Sequence, residues 1–193
     1  MRNPIRPKNL RLRFLPLYLI GLAVLAWQAP RPGAAAVALP LIAMGTALRA
    51  WGAGHLVKND TLTTTGPYAH LRHPLYLGTL LVGTGFAIWV GGVVAVAILA
   101  LLWPWFALRY FPRKEASESR RLEAAYGDRF RRYREAVPAL WPRLRPYREA
   151  GPTDAGQGGW QLGRYDANNE FGTLLALSLG VLVFWLRSGV GGG

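Results

Sequence analysis

Apolar residues in this chain are gathered into blocks separated by short polar interruptions. Five blocks stand out, at residues 12–28, 34–51, 74–90, 93–108 and 171–186. Each runs for about 16 to 18 residues, the short end of what an α-helix rising about 1.5 Å per residue needs to cross a bilayer core. The stretch from 74 to 108 is too long for one crossing, and Gly91-Gly92 in its middle is where a tight turn between helices fits. The pattern predicts a hairpin there, and an all-α, polytopic transmembrane protein of about five spans.

A different period follows the fourth block. Leu122, Tyr126, Phe130, Tyr133 and Val137 recur every three or four residues, with charged residues between them, which predicts one amphipathic helix over residues 113–137. Steps of four carry the same stripe back to Glu118 and Lys114, and Pro138 and Pro142 close the helix. Residues 144–170 read as a Gly-, Pro- and Arg-rich connector without a phosphate-binding loop. The polar cluster at 164–170 is expected to cap the interface before an extra C-terminal span at 171–187.

Composition agrees with a single membrane domain over residues 1–193. The chain is 51% hydrophobic and 12% aromatic, and it lacks cysteine, so thiolate nucleophiles, thiolate metal sites and disulfides are excluded. Its net charge of +13 would suit a nucleic-acid binder, but the positions of the charges decide otherwise. With the N-terminus inside, five Lys and Arg fall in residues 1–13, three in 49–73 and thirteen in 109–170, leaving Arg31 and Arg187 for the far side. That asymmetry is the positive-inside pattern, and it accounts for the basic excess without nucleic acid. It predicts a cytoplasmic N-terminus and an integral membrane location, in a bacterial inner membrane given the richness in Ala, Arg, Gly and Pro. The first block is followed by Gln28-Ala29-Pro30-Arg31-Pro32 and then a second block, so it is expected to be retained as a span.

The chemistry is concentrated in residues 66–78, where His70, Arg72, His73, Tyr68 and Tyr76 crowd the start of the third block. Basic and aromatic residues at such a position can simply anchor a helix end in the headgroup region, or they can form a site. The three histidines, His55, His70 and His73, are too few for a metal centre, and Pro74 keeps its predecessors from sharing a helical face. No serine sits in a nucleophile elbow. What the residues can build is a pocket for a small charged cofactor at the inner membrane face, between residues 61–76 and the helix from 114 to 133. Arg72, His73, Glu118, Tyr68 and Tyr76 supply its donors, acceptors and walls.

Asp60-Thr61-Leu62-Thr63-Thr64-Thr65-Gly66-Pro67-Tyr68 followed by Arg72-His73-Pro74-Leu75-Tyr76-Leu77-Gly78 resembles the signature of the isoprenylcysteine carboxyl methyltransferase family and its bacterial and phospholipid-methylating relatives. Glu118, Leu122, Tyr126-Gly127, Phe130, Tyr133, Val137-Pro138 and Pro142 match the family's second block, so the resemblance spans a core of residues 55–143.

The resemblance implies an integral membrane enzyme that transfers a methyl group from S-adenosylmethionine to a lipophilic acceptor, a prenylcysteine carboxylate or an aminolipid. It implies cofactor contacts from Asp60, Thr61, Leu62, Thr63, Tyr68, His73, Pro74, Leu75, Tyr76 and Glu118, with Arg72, Arg113 and Lys114 as candidate catalytic, substrate-side cations. Three departures qualify it. Lys114 stands where the family has arginine, and lysine lacks the planar two-pronged grip on a carboxylate. Asp60 replaces a common histidine, and Ser119 replaces a second glutamate. A membrane reductase using NADPH and a non-catalytic scaffold with a basic tail are the alternative readings, although the reductase's longer cofactor site is not evident in residues 109–150.

Overall fold

The structure, a computed structural model, describes residues 27, 29–57, 61–149 and 158–189. The first predicted span, apart from Trp27, lies outside the described residues. A short 3-10 turn at Pro32–Ala34 leads into α1 (Ala35–His55). A loop containing a second 3-10 turn (Gly66–Ala69) then leads to α2 (Pro74–Val90), whose first position is a proline, the place where a missing N–H costs nothing. Gly91 and Gly92 both adopt positive φ, 73° and 61°, and reverse the chain into α3 (Gly92–Trp105). The hairpin predicted at this glycine pair is therefore the observed one.

The fourth block does not stop where its apolar residues stop. After α3 a wide π-helical turn (Phe106–Tyr110) carries the chain into α4 (Phe111–Tyr126), giving one helical stretch of 35 residues from Gly92 to Tyr126. Prolines 104 and 112 bracket this turn. Each removes a helical donor, so the irregular register falls where regular bonding is already interrupted. The predicted single helix over 113–137 is two helices. Gly127 takes φ 51° and ψ −129°, which ends α4 and starts α5 (Asp128–Ala136). Two further helices follow, α6 (Leu162–Ala167) and α7 (Glu170–Arg187), and no strand occurs among the described residues.

Pro32–His55, Gly92–Tyr126 and Glu170–Arg187 are each long and apolar enough to cross a bilayer, and Pro74–Val90 is a shorter apolar helix. Only 11% of the most apolar window is covered by protein in Gly92–Tyr126 and likewise in Glu170–Arg187. Apolar side chains left uncovered on that scale need lipid, so the chain is an integral membrane protein. α1 and α2 lie against each other at very short range. A Cβ at Gly45 would stand 2.6 Å from the Gly78 carbonyl oxygen, so only glycine permits this approach. At the far end Trp89, Phe184, Ala38 and Ile42 form a closed core, with Phe86 and Val181 packed on it.

At the opposite end, residues 160–169 cover the C-terminus of α1. A helix end leaves carbonyls without intrahelical donors. Here the Trp160 indole donates to the Ala50 carbonyl (2.9 Å), the Gln161 N–H to Gly54 (2.9 Å), and the Asn168 amide to Ala53 and Leu56 (2.8 and 3.1 Å). Of the polar cluster at 164–170, Asn168 takes part in this capping of α1, and α6 gives part of the expected connector regular structure.

Candidate active site

The loop after α1, the first turn of α2 and one face of α4 enclose a cavity of about 680 Å³. Thr61, Leu62, Thr63, Tyr68, Arg72, His73, Pro74, Leu75, Tyr76 and Glu118, all predicted from sequence, line it together. Asp60 lies outside the described residues. Arg113 and Lys114 are not brought to the cavity. They line a neighbouring depression with Trp105, Arg109, Tyr110 and Ser117. At about 100° of rotation per residue, the face that carries Glu115, Glu118, Ser119 and Leu122 turns away from positions 113, 114 and 117. Tyr76 of the cavity and Tyr110 of the depression meet edge to face, 6.0 Å between ring centres.

The loop is held in place from below by residues 137–149. The Arg72 and His73 N–H groups donate to the Pro138 and Ala139 carbonyls (2.9 and 3.0 Å), and the Arg143 and Tyr147 N–H groups return bonds to His70 and Ala69 (3.0 and 2.8 Å). Leu62 packs into a buried cluster with Phe130, Tyr133 and Val137. The Tyr133 hydroxyl donates to the Tyr68 carbonyl at 2.7 Å. The 3.6-residue stripe of the amphipathic segment therefore buries itself against the loop, which is how an apolar pattern in one element fixes polar groups in another. His70, one of the residues crowding the start of the third block, is half-buried, and its Nδ1 lies 2.8 Å from the Arg143 carbonyl.

Glu115 organises the polar wall. Its carboxylate accepts hydrogen bonds from the Arg72 guanidinium and from the His73 imidazole, and Ser119 donates to it at 3.3 Å. Arg72 also donates through Nε to the Val137 carbonyl at 3.0 Å. Glu118 accepts from the Tyr76 hydroxyl at 2.5 Å and lies 3.6 Å from His73 Nδ1. The His73 and Tyr76 rings stack at 5.3 Å, with Phe111 set edge-on against both. Glu115 was missed by the reading in steps of four, which led from Glu118 to Lys114. A step of three reaches Glu115 and shares a helix face equally well.

Burial and the nearby carboxylate Glu118 push the Tyr68 hydroxyl well above the ordinary tyrosine range. Burial, and next the proximity of Tyr68, does the same for Tyr133. Both stay neutral at any pH a cell meets, and the Tyr133 hydroxyl remains a donor to the Tyr68 carbonyl. Thr61 Oγ1 is buried at the cavity wall without a hydrogen-bond partner among the described residues. The volume falls within the range of small-molecule sites.

Fold and cavity together define a polytopic helical membrane protein with a largely apolar, carboxylate-bearing pocket built at one end of its spans. The chain belongs to the phospholipid methyltransferase family, whose profile matches residues 33–129. It is 38% identical over 109 residues to the cobalt-zinc-cadmium resistance protein CzcN of Cupriavidus metallidurans, covering 55% of this chain and 48% of that protein. It is 36% identical over 109 residues to the nickel-cobalt-cadmium resistance protein NccN of Alcaligenes xylosoxydans xylosoxydans, covering 55% and 49%. Against the protein-S-isoprenylcysteine O-methyltransferase of Schizosaccharomyces pombe, identity is 31% over 88 residues, 45% of this chain and 35% of that enzyme. The matches span about half of each resistance protein and about a third of the yeast enzyme. No solved structure matches the chain.

Proposed function

We propose that this chain is a membrane methyltransferase that holds S-adenosylmethionine in the 680 Å³ cavity and methylates a lipophilic acceptor. The observation that carries the reading is the meeting, in one cavity, of the loop from Thr61 to Tyr76 with Glu115 and Glu118 of α4. Family membership and the likeness to the yeast methyltransferase support it. S-adenosylmethionine would supply an activated, positively charged methyl donor.

The residues fit such a ligand. Glu118 offers an acceptor for amine and hydroxyl donors, and its negative charge with the Tyr76 ring beside it suits a sulfonium cation. Leu62, Pro74 and Leu75 supply apolar wall. The chain's own contribution is then positioning and exclusion of water, with little proton transfer required if the acceptor is an anion. Arg72 is engaged by Glu115, so it steadies the site, while Arg121 on the cavity wall and Arg109, Arg113 and Lys114 across the Tyr76–Tyr110 wall are placed to attract an anionic acceptor. An acceptor dissolved in the bilayer would reach the cavity from the lipid side. The cavity end is assigned to the cytoplasm on the distribution of Lys and Arg, in a bacterial inner membrane.

Calorimetric titration of the detergent-solubilised protein with S-adenosylmethionine, S-adenosylhomocysteine and NADPH tests this. Saturable binding of the first two, weakened about tenfold or more in Glu118→Gln, is expected, because a charge-assisted hydrogen bond is lost. Binding of NADPH alone would sink the proposal.

A further inference from the structure

Glu170 begins α7, 41 residues beyond the end of the family match at residue 129, yet it is buried and engaged with the core. Its carboxylate forms a two-pronged pair with Arg49 of α1, Nη2 to Oε1 at 2.5 Å and Nε to Oε2 at 3.2 Å. The remaining prong of the same guanidinium donates to Thr79 Oγ1 at 2.6 Å and to the Leu75 carbonyl at 3.4 Å. Thr79 in turn donates to the Leu75 carbonyl at 2.8 Å. The Arg49 and Glu170 side chains are only 18% and 6% exposed, so an unpaired charge here would be costly. Three helices are thus tied at one point, and that point is the first turn of α2, which presents His73, Leu75 and Tyr76 to the cavity.

From this geometry we infer that Glu170 is a positioning residue for the active site. Through Arg49 it fixes the first turn of α2, so the last helix is a working part of the catalytic unit. The inference rests on the proposed methyltransferase reading. It follows from the geometry of the guanidinium. Glu170 occupies Nε and one Nη, which sets the plane of the fork and leaves the other Nη aimed at Thr79 and Leu75. Without the carboxylate the fork is free to rotate, and the Leu75 carbonyl and the Tyr76 ring beside it lose that restraint. Displacements of about 1 Å at a reacting site cost up to about a hundredfold in rate.

The test uses the full chain in lipid nanodiscs. Glu170→Gln is compared with Phe184→Ala, which loosens the same helix at its far end, where Phe184 packs on Trp89 and Phe86. S-adenosylhomocysteine affinity and thermal midpoint are measured for both. Glu170→Gln is expected to weaken binding about tenfold, while Phe184→Ala lowers the midpoint at least as far with affinity within about twofold. Glu170→Asp should recover part of the lost affinity. Affinity unchanged in Glu170→Gln, or falling in both variants in step with the midpoint, would overturn the inference.

If the parent protein binds no S-adenosylhomocysteine, the methyltransferase reading fails by itself. Positioning is then read without a ligand, because the chain contains no cysteine. A single Ser119→Cys reporter, buried on the cavity wall beside Glu115, should react with a maleimide several-fold faster in the Glu170→Gln background and at an unchanged rate with Phe184→Ala. Equal rates in all three backgrounds would refute the proposal.

Discussion

Replacing Glu115 by glutamine tests whether the polar wall of the cavity is held by charge. The Glu115 side chain is 16% exposed, and its partners Arg72 and His73 are 12% and 10% exposed, so solvent screening is slight. Two hydrogen bonds to charged or chargeable donors, at about 1.5–3 kcal/mol each, set the gross interaction. Desolvation of the carboxylate offsets part of it, and glutamine retains one acceptor oxygen and the same shape. Arg72 keeps its bond to the Val137 carbonyl. The expected net loss is about 2–3 kcal/mol. Reversible unfolding by SDS in mixed micelles measures it, with Arg72→Gln completing a double-mutant cycle. Arg72→Gln alone should cost a similar amount, and the double variant less than the two single losses together. A Glu115→Gln loss below about 0.5 kcal/mol, or additive single losses, would refute the reasoning, because the pair would then be no better than its solvated parts.

Two further outcomes concern the scaffold of the site. Gly127→Ala forces a Cβ into a backbone conformation with φ 51° and ψ −129°, and should destabilise the fold by about 1–3 kcal/mol although nothing lies within 4 Å of the added atom; the same unfolding titration measures it, and a neutral result would show that α4 and α5 can merge. Tyr68 and Tyr133 have folded pKa values raised above the unfolded value of about 10, so each contributes stability that is complete below that pH and is lost as pH rises through the folded value. Ultraviolet titration should therefore show Tyr68 and Tyr133 among the tyrosines that ionise only with alkaline unfolding, with one such tyrosine fewer in Tyr133→Phe, which also loses about 1 kcal/mol with the bond to the Tyr68 carbonyl.

Much of the fold was legible because lipid imposes a simple rule. A helix facing hydrocarbon must be apolar over a fixed length, so the spans at 34–51, 74–90, 93–108 and 171–186 appear directly as blocks, and the Gly91-Gly92 reversal appears as the break between two of them. The single helix expected over 113–137 was misread because a 3.6-residue stripe runs unbroken across Gly127. Apolar periodicity reports which side chains are buried, and it is blind to a reversal of backbone φ between two turns that happen to keep phase.

The site was legible to the extent that its parts are local. The loop from Thr61 to Tyr76 and Glu118 announce themselves by residue type and spacing, and the cavity brings them together. Arg113, Lys114 and Glu115 are consecutive, and composition cannot say which of them faces inward. Only the direction in which α4 leaves the π-helical turn decides that Glu115 meets Arg72 and His73 while the two cations turn toward Trp105 and Tyr110. The backbone ties from residues 138–147 carry no side-chain signature at all.

What the sequence determined by itself is the apolar helices seen among the described residues and the end of the bundle where charge and chemistry collect, since both follow from the cost of placing polar groups in hydrocarbon. What only the tertiary structure decided is pairing: Glu115 with Arg72 and His73, Tyr76 with Glu118, and Arg49 with Glu170 across 121 positions of chain. Burial selects residue types along a chain, but a hydrogen bond about 3 Å long selects a particular partner, and that choice exists only once the helices are packed.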